Sequence, residues 1–276
     1  MTNDMQFSSV CGIDIAKSVM QVYKVTSDGV VSNKAVKRAN FLDEFRNVPP
    51  ALIGMEACGG SQHWARELQN LGHTVRLMSP KAVKPYVTGL KNDKNDARGI
   101  YTALAMGVRE VPVKSAAIRD LALLQTMRTK RQREKVAKIN HIRGILSEYG
   151  LVMGKSINAF LAKAGSLIAE LKERVDVSSY VVSELITVFE EVKGSILKIQ
   201  ELAKNIQSIA RDNRQYEFFL SAPGVGPITA ATMTVLLCNP SVFKNGREFA
   251  TYIGLAPKST GSGGKNIVTH IPSKFD

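Results

Sequence analysis

Four acidic side chains in the first hundred residues have the types and spacing that metal chemistry requires. Asp14 lies between two isoleucines in "GIDIA", and Glu56 closes the apolar run "ALIGMEA". Asp93 and Asp96 stand three residues apart in "LKNDKNDARG", so in a helix their carboxylates would leave one face and repel each other. Four hard oxygen ligands suit two Mg²⁺ ions, which would remove that repulsion and polarise a phosphodiester from both sides.

Each acid also has an ordinary structural interpretation. Asp14 alone could form a turn, Glu56 could be a solvated strand end, and Asp93 or Asp96 could cap the helix that follows. The order D, E, D-x-x-D over about eighty positions favours a shared site over four unrelated roles. Strand ends of an α/β sheet are where such sites assemble.

The composition limits the class of protein that can carry these acids. The chain has 276 residues, of which 44% are hydrophobic, enough for one large domain or two to three small ones with buried cores. Lys and Arg number 37 against 24 Asp and Glu, a formal charge of +13. Such a field attracts polyanions and favours nucleic acid as the partner.

Membrane and redox classes fit the sequence less well. No apolar run is long enough to span a bilayer, and the first seven residues lack the pattern of a signal peptide, so we expect a cytoplasmic protein without a membrane partner. Cys11, Cys58 and Cys238 are far apart, which favours reduced core positions over a disulfide or a zinc site. The four histidines are also widely spaced, and no transition-metal centre is predicted.

The first segment, residues 1–108, alternates strands and helices and predicts an α/β sheet opened by an antiparallel meander. The predicted strands are 10–16, 20–25, 30–36, 51–57 and 74–78, and the predicted helices are 41–47, 61–72 and about 93–106. "TSDG" at 26–29 is a hairpin signal, and Gly72 is a natural C-terminal cap for the second helix.

The second segment, residues 109–211, is helical and basic. Its basic cluster, set against a single Glu134, consists of Arg128, Lys130, Arg131, Arg133, Lys135, Lys138 and Arg143. Such a run is often only a solvated helix face. With the acidic residues and the net charge, it favours a surface that follows nucleic-acid phosphates.

A heptad pattern follows in the same segment. Its positions are Leu185, Val188, Val192, Ser195, Ile199, Leu202, Ile206 and Ile209. A seam of this kind needs a partner, which is either an antiparallel hairpin within the chain or a second subunit, and the pattern does not choose between them.

The third segment, residues 212–276, is predicted to be mainly α-helical. "PGVGP" at 223–227 joins two apolar helical stretches as in a helix-hairpin-helix, where Gly224 and Gly226 permit a tight turn and the following amides can bind a DNA phosphate. The alternative is a plain connection. A glycine and hydroxyl loop between Lys258 and Lys265 then follows, and it lacks the pattern of a nucleotide P-loop.

These motifs resemble a known family. "GIDIAKS", "GMEACGG" and "LKNDKNDARG" are similar to the three N-terminal motifs of the DEDD-type transposases of bacterial insertion sequences, a group that includes the Piv-like DNA invertases. "APGVGPITAATMTVLL" and "FATYIGLAPKSTGSGGK" are similar to the C-terminal transposase domain of that family. The resemblance covers nearly the whole chain in the right order.

The resemblance implies more than the spacing does. The N-terminal domain would have an RNase H-like fold of the Holliday-junction-resolvase type, with Asp14, Glu56, Asp93 and Asp96 as ligands to Mg²⁺, for which Mn²⁺ can substitute. A coiled-coil hairpin would lead to a C-terminal domain whose serine attacks DNA and holds it covalently during strand exchange. A structured non-coding RNA would guide the choice of DNA, and the protein would act as a homodimer or tetramer.

The sequence departs from the family pattern in two places. Relatives read P-x-x-x-S-[ST]-G-G-K in the serine loop, whereas "PKSTGSGGK" has Gly261 at the first hydroxyl position, so we predict Ser262 as the nucleophile, with Ser259 and Thr260 in reserve. Relatives also continue past the point where this sequence stops at "HIPSKFD", so the C-terminal domain is expected to be incomplete.

Two other functions compete with this one. "GIDIAKS" also resembles the first phosphate strand of sugar kinases and actin-like ATPases, but the second glycine-rich loop and the adenosine motif of those proteins are missing from the sequence. The second is a catalytically inactive transposase remnant that keeps its DNA and RNA surfaces. A Mg²⁺-dependent covalent adduct with DNA separates the enzyme from the remnant.

Overall fold

The computed structural model describes residues 7–90, 92–257, 259–260 and 267–268. The chain divides into two compact units. The first comprises residues 1–115 together with 238–276, and the second comprises residues 116–237.

The first unit is a mixed α/β structure, which confirms the α/β class. Its strands are β1 (Ser9–Ile15), β2 (Val19–Thr26), β3 (Val31–Lys37), β4 (Leu52–Glu56), β5 (Thr74–Met78) and β6 (Glu110–Val111). Its helices before residue 115 are α1 (Ser61–Asn70), α2 (Pro80–Val83) and α3 (Asp93–Ala105). The predicted strands and the helices at 61 and 93 match these bounds within a few residues.

The six strands form one sheet in the order β3-β2-β1-β4-β5-β6. The first three make the predicted antiparallel meander, β1 runs parallel to β4, and β4 runs parallel to β5. The β2–β3 turn is closed by the amide of Gly29, which donates to the carbonyl of Thr26 at 3.0 Å. Parallel strands place their carboxyl ends on one edge of the sheet, which is the edge that carries the acids.

One face of the sheet packs against α1 and a short connecting segment. Odd-numbered positions of the central strands, such as Ile13 and Ile53, are fully buried there beside Trp64 of α1. Trp64 in turn meets the ring of Phe41 edge-on, with centroids 5.1 Å apart. This layer supplies the larger apolar core of the unit.

The other face of the sheet packs against α3. Ile100, Ala103 and Leu104 of that helix are buried with Leu52 and Met78 of the sheet. Gly12 of β1 faces the helix, and a methyl group added to it would lie 2.8 Å from the Cα of Tyr101 and closer still to the carbonyl oxygen of Ala97. The absence of a side chain at Gly12 therefore allows α3 to lie directly on the strand that carries Asp14.

The predicted helix at 41–47 is wrong. The segment instead forms two 3₁₀ turns, Arg38–Asn40 and Leu42–Glu44. Asn47 then adopts a left-handed conformation with φ 61°, and prolines 49 and 50 follow it. Neither feature allows an α-helix to continue. Phe41 and Phe45 still point inward, so the apolar pattern reflects burial and not helical length.

The second unit is helical throughout its described elements. These are α4 (Ala116–Glu148), α5 (Ile157–Lys172), α6 (Ser179–Arg211), α7 (Arg214–Leu220) and α8 (Pro227–Leu236). The C-terminal half of α4 and the N-terminal half of α6 share one apolar core with α5. Lys138 of α4 also pairs with Glu191 of α6 at 2.7 Å.

The heptad seam on α6 finds its partner within the chain, on α4. Val192 and Ile206 are fully buried, whereas Ser195 is half-buried and its hydroxyl bonds back to the carbonyl of Glu191 at 2.7 Å. The last buried position is Ala210 and not Ile209, which is 38% exposed. A straight helix drifts relative to a strict seven-residue repeat, so the seam moves by one position near its end.

The remaining part of the first unit lies after residue 237. It contains α9 (Gly246–Tyr252) and the two-residue strands β7 (Ser259–Thr260) and β8 (Ile267–Val268), which pair antiparallel. Arg109, next to the edge strand β6, pairs with Glu248 of α9 at 3.3 Å. Its guanidinium also lies over the rings of Phe243 and Tyr252, at 4.6 and 5.2 Å.

Two other expectations concern membranes and cysteines. Over the part of the chain that the structure describes, no helix combines the length and apolar composition needed to cross a membrane. Cys11 is buried, and burial raises the pKa of its thiol to about 11. Cys58 is exposed, so its predicted core position is wrong: it follows the end of β4, where the chain leaves the sheet.

Candidate metal centre and nucleic-acid surface

Two of the predicted acids stand side by side at the carboxyl edge of the sheet. Ile13 of β1 is in register with Met55 of the parallel strand β4, so Asp14 and Glu56 each come one residue later on adjacent strands. Neighbouring strands are about 4.8 Å apart, which places the two side chains next to each other on the face that α3 covers. Both are half-buried.

The other two acids lie in the first turn of α3. Asn92 is the N-cap, and its side-chain oxygen accepts a hydrogen bond from the amide of Asn95 at 2.9 Å. Asn95 in turn donates to the carbonyl of Leu90 at 2.7 Å and fixes the entry of the chain into the helix. The positive end of the helix dipole favours Asp93 and Asp96 at this position.

The structure brings three of the four acids into one cluster. Asp14, Asp93 and Asp96 each offer a carboxylate oxygen, and these three oxygens all lie within 4.8 Å of one another. Glu56 is outside that group of oxygens, although burial and then the charges of Asp14 and Asp96 raise its pKa. The close approach of β1 and α3 at Gly12 is what brings the two elements together.

The electrostatics of the cluster are those of crowded anions. Burial raises the pKa of Asp14 above its ordinary value, and the negative charges of Asp96 and Asp93 raise it further. Burial likewise raises the pKa of Glu56, and Asp14 and Asp96 add to the effect. A cation bound beside Asp14 and Glu56 would favour the ionised forms that burial and the neighbouring charges disfavour.

The donor set fits a divalent cation of the hard, oxygen-binding type. All the groups that converge are carboxylates, with neither a histidine ring nor a thiolate among the three clustered ligands. This composition suits Mg²⁺, Mn²⁺ or Ca²⁺ and not zinc or copper. A pocket of about 440 Å³ beside the cluster is lined by Gln21 and residues 92–95.

The predicted phosphate-binding cations lie along α4 in the second unit. Lys130, Arg131 and Arg133 are exposed. Three others are half-buried, namely Arg128, Lys135 and Lys138. Two of the six make ion pairs, Lys130 with Glu134 at 3.8 Å and Lys138 with Glu191 at 2.7 Å, so part of the basic charge is already balanced within the protein.

Arg143, the last member of that basic cluster, has a structural task. One of its terminal nitrogens donates to the carbonyl oxygens of Gly154, Lys155 and Ser156 at 3.0, 2.8 and 3.0 Å. These three residues lead into α5, whose N-cap is Ser156. Arg143 therefore braces the connection between α4 and α5.

The glycine turn predicted to bind phosphate joins α7 to α8. Gly224 is exposed and has φ 82°, a left-handed conformation that favours glycine. Gly226 is the N-cap of α8 and Pro227 is its first residue, so the helix begins without a capping side chain. Ser262, Lys258 and Lys265 lie outside the described residues, and of the reserve hydroxyls Ser259 and Thr260 the structure describes only the backbone strand.

Two polar residues beside the acids were missed by the sequence reasoning. Gln21 pairs directly with Asp14 across β1 and β2, and Asn33 lies one strand further out, opposite Tyr23. Gln21 is only 5% exposed, and its amide donates to the side-chain oxygen of Asn33 at 2.7 Å. The available signal was a glutamine within the apolar strand "MQVYKV".

Comparison with known proteins places this sequence in a family. A family model of DEDD transposases of the IS110 type matches residues 11–151, and a second, described as the Transposase IS116/IS110/IS902 family, matches residues 216–275. The chain belongs to the IS110-type DEDD transposases. The resemblance drawn from the sequence motifs is confirmed, and the transposase is an enzyme that acts on DNA.

Individual relatives agree with this assignment. The transposase is 35% identical to a probable family 20 transposase of Pseudomonas aeruginosa, over 96% of this chain and 79% of that protein. It is 31% identical to the transposase for insertion sequence element IS1111A of Coxiella burnetii, over 98% of this chain and 74% of that protein. It is 26% identical to the transposase for insertion sequence element IS1328 of Yersinia enterocolitica, over 97% of this chain and 79% of that protein.

Proposed function

We propose that this transposase cleaves and rejoins DNA strands with Mg²⁺ held by Asp14, Glu56, Asp93 and Asp96 and with Ser262 as the nucleophile. The observation that carries the proposal is the cluster of carboxylate oxygens from Asp14, Asp93 and Asp96, all within 4.8 Å of one another, in a chain of the DEDD transposase family. When bound, the ion would neutralise charge on the scissile phosphate.

The proposed RNase H-like fold of the N-terminal unit agrees with the strand order. An antiparallel meander leads into two parallel strands, and the acids stand at the carboxyl ends of β1 and β4 and at the start of α3. Asp14 and Glu56 supply ligands from the rigid sheet, whereas Asp93 and Asp96 supply them from a capped helix. Ligands on such elements hold their geometry better than ligands on loops.

The proposed covalent step exchanges one phosphoester for another. The Oγ of Ser262 would form a bond to phosphorus, the bond from phosphorus to the departing deoxyribose oxygen would break, and the proton of the serine would leave to a nearby base while the departing oxygen gains one. Because the phosphate stays esterified, the reverse reaction with a different DNA end would release the serine and join the strands.

The nucleic-acid partners are proposed from charge and from the family resemblance. The exposed cations Lys130, Arg131 and Arg133 on α4 supply a surface for phosphate backbones. The turn at Gly224 and Gly226, together with Lys258 and Lys265, is proposed as a second phosphate contact. We propose that the partners are the DNA ends of an insertion sequence and a structured non-coding RNA, and that the protein works as a homodimer or tetramer.

A covalent-adduct assay tests this function. The protein, the element's own DNA ends, its RNA and Mg²⁺ are combined, and the DNA is followed on a denaturing protein gel. We expect an adduct that chelation of the metal prevents and that both Ser262→Ala and Asp96→Asn abolish. An adduct that persists in Ser262→Ala and disappears in Ser259→Ala or Thr260→Ala would assign the nucleophile to that other hydroxyl residue. Tight nucleic-acid binding with neither adduct nor cleavage would leave only a binding protein.

A further inference from the structure

A continuous polar connection runs from the sheet to the first turn of α3. The side-chain nitrogen of Gln21 donates to the side-chain oxygen of Asn33 at 2.7 Å. The side-chain nitrogen of Asn33 then donates to the backbone carbonyl of Lys94 at 3.1 Å. Lys94 lies between Asp93 and Asp96, so the connection ends on the backbone that carries both helical acids.

The starting point of this connection lies beside the third acid. Gln21 is in register with Asp14 in the antiparallel pair of β1 and β2, so their side chains leave the same face of the sheet. That face is the one α3 covers, as the ring contact between Tyr23 and Tyr101 at 5.1 Å also shows. The two ends of the polar connection are therefore the two elements whose separation determines the distance between the carboxylates.

Burial fixes the sheet end of the connection, whereas its helix end at Lys94 is exposed. Gln21 is only 5% exposed, and an amide left without a partner at such a depth is unfavourable, so its hydrogen bond to Asn33 is retained. Asn33 uses its oxygen toward Gln21 and its nitrogen toward Lys94, so both ends of one planar amide are engaged. A movement of the first turn of α3 away from the sheet would break the bond between Asn33 and Lys94, and it would weaken the bond between Gln21 and Asn33.

The crowded acids create the need for such a brace. In the absence of a cation, repulsion among Asp14, Asp93 and Asp96 favours a larger separation of α3 from β1. Elsewhere the helix is held by apolar contacts at Ile100 and Leu104, which lie one and two turns further along. At the acidic end of α3, the side chain of Asn33 links the sheet to the helix through its hydrogen bond to the carbonyl of Lys94.

We infer that Gln21 and Asn33 form a positioning relay that holds the acids of α3 against Asp14 and thereby sets the affinity of the site for a divalent cation. The inference rests on the metal site of the proposed function. Neither residue is a metal ligand in this scheme. Partners of this kind that orient metal ligands typically change metal affinity by about 10- to 100-fold when they are removed.

The decisive measurement is Mn²⁺ binding to the full chain without nucleic acid, followed by electron paramagnetic resonance. We expect Asn33→Ala, and separately Gln21→Leu, to raise the Mn²⁺ dissociation constant about tenfold. Because the two residues act in series, the double variant should be no weaker than about the worse single variant. The matched control is Ser32→Ala, on the same strand but the opposite face, which should bind as the unchanged chain does.

A second readout is hydrogen exchange in the ion-free chain. Loss of the relay should speed exchange of the amides at 96–98 about tenfold while those of Ile100 to Leu104 stay protected. Mn²⁺ affinity within twofold of the unchanged chain in both single variants would overturn the relay. Asp96→Asn distinguishes failure of the relay from failure of the metal site. If Asp96→Asn also binds Mn²⁺ as the unchanged chain does, both the metal site and the relay are wrong. If Asp96→Asn loses Mn²⁺ binding while the Gln21 and Asn33 variants keep it, only the relay is wrong.

Discussion

Gly12 of β1 lies against the backbone of α3, with Tyr101 so close that a methyl group on Gly12 would be 2.8 Å from its Cα. Asp14 is two residues further along the strand and Asp96 is on the same helix, so this one contact controls how near the two carboxylates can come. The close packing of a strand against a helix is thus directly linked to the geometry of the acidic cluster.

Gly12→Ala is expected to damage both stability and metal binding. The new methyl group meets backbone atoms that cannot move independently, so α3 must shift, at a cost of about 1–3 kcal/mol in the free energy of unfolding. The shift separates Asp14 from Asp96, and the Mn²⁺ dissociation constant should rise. Gly59→Ala, where a methyl group meets nothing within 4 Å, is the control for both measurements. Unchanged Mn²⁺ affinity in Gly12→Ala would disprove the link.

Asp96→Asn should make the ion-free protein more stable, although it inactivates the proposed site. Removing one charge relieves its repulsion with Asp14 and Asp93, which outweighs the lost attraction to the start of α3. We expect a net gain of about 0.5–1 kcal/mol in the free energy of unfolding, or about 2 °C in melting temperature. Added Mg²⁺ should raise the melting temperature of the unchanged protein and not that of the variant.

Thermal unfolding with and without a chelator measures this effect. Asp43→Asn is the control, because Asp43 is exposed, lies outside the acidic cluster, and has only a weak pairing with Arg46 at 3.7 Å. If the unchanged protein and Asp96→Asn melt together in the chelator, the carboxylates do not repel one another as described.

Two arginines on α4 should give opposite results. Arg143 donates to three carbonyls before α5, so Arg143→Ala should lower the stability of the protein by about 2 kcal/mol. Arg131 is exposed, so Arg131→Ala should keep the melting temperature while weakening nucleic-acid binding and reducing the salt dependence of affinity by about one phosphate. Melting curves and a salt titration of nucleic-acid binding test both variants. If the two variants lower the melting temperature equally and weaken binding equally, the structural role of Arg143 and the binding role of Arg131 are wrong.

Local signals in the sequence were sufficient for much of the fold and for the acids. Alternating apolar residues and the turn "TSDG" predict the meander, and an acid at the end of an apolar run predicts a residue at the edge of the sheet. The run of asparagines and aspartates correctly indicates a helix start, but the predicted caps Asp93 and Asp96 are wrong, because Asn92 is the cap and both aspartates lie in the first turn.

Other features depend on pairings that are distant in the sequence. Gln21 becomes meaningful only when the register places it opposite Asp14, and Asn33 only when α3 lies over the third strand. Gly12 resembles any strand glycine until the helix is packed on it. The helix predicted at 41–47 is wrong for a related reason. Phe41 and Phe45 are buried because they pack in the core of the sheet unit, and their spacing does not reflect a helical period.

The last prediction concerns the segment that precedes the serine loop. Arg109 pairs with Glu248 at 3.3 Å and lies over the rings of Phe243 and Tyr252, so it holds α9 beside the edge of the sheet. Glu248 is itself fixed, because its carboxylate accepts from the amide of Lys244 at 2.7 Å. The chain passes from α9 into residues 259–262, which carry the proposed nucleophile.

Arg109→Ala should therefore slow formation of the covalent DNA adduct more than it weakens DNA binding. Loss of the ion pair and of the ring contacts removes about 1–2 kcal/mol that fixes α9, and a loosely held nucleophile reacts less often. Arg109→Lys keeps the charge over the rings and should recover part of the rate, whereas Glu248→Gln in the Arg109→Ala background should add little because the partner is already gone. Adduct rates and DNA dissociation constants are measured on the same preparations. If the adduct rate and the DNA affinity fall in parallel, Arg109 acts in DNA binding and does not position the serine segment.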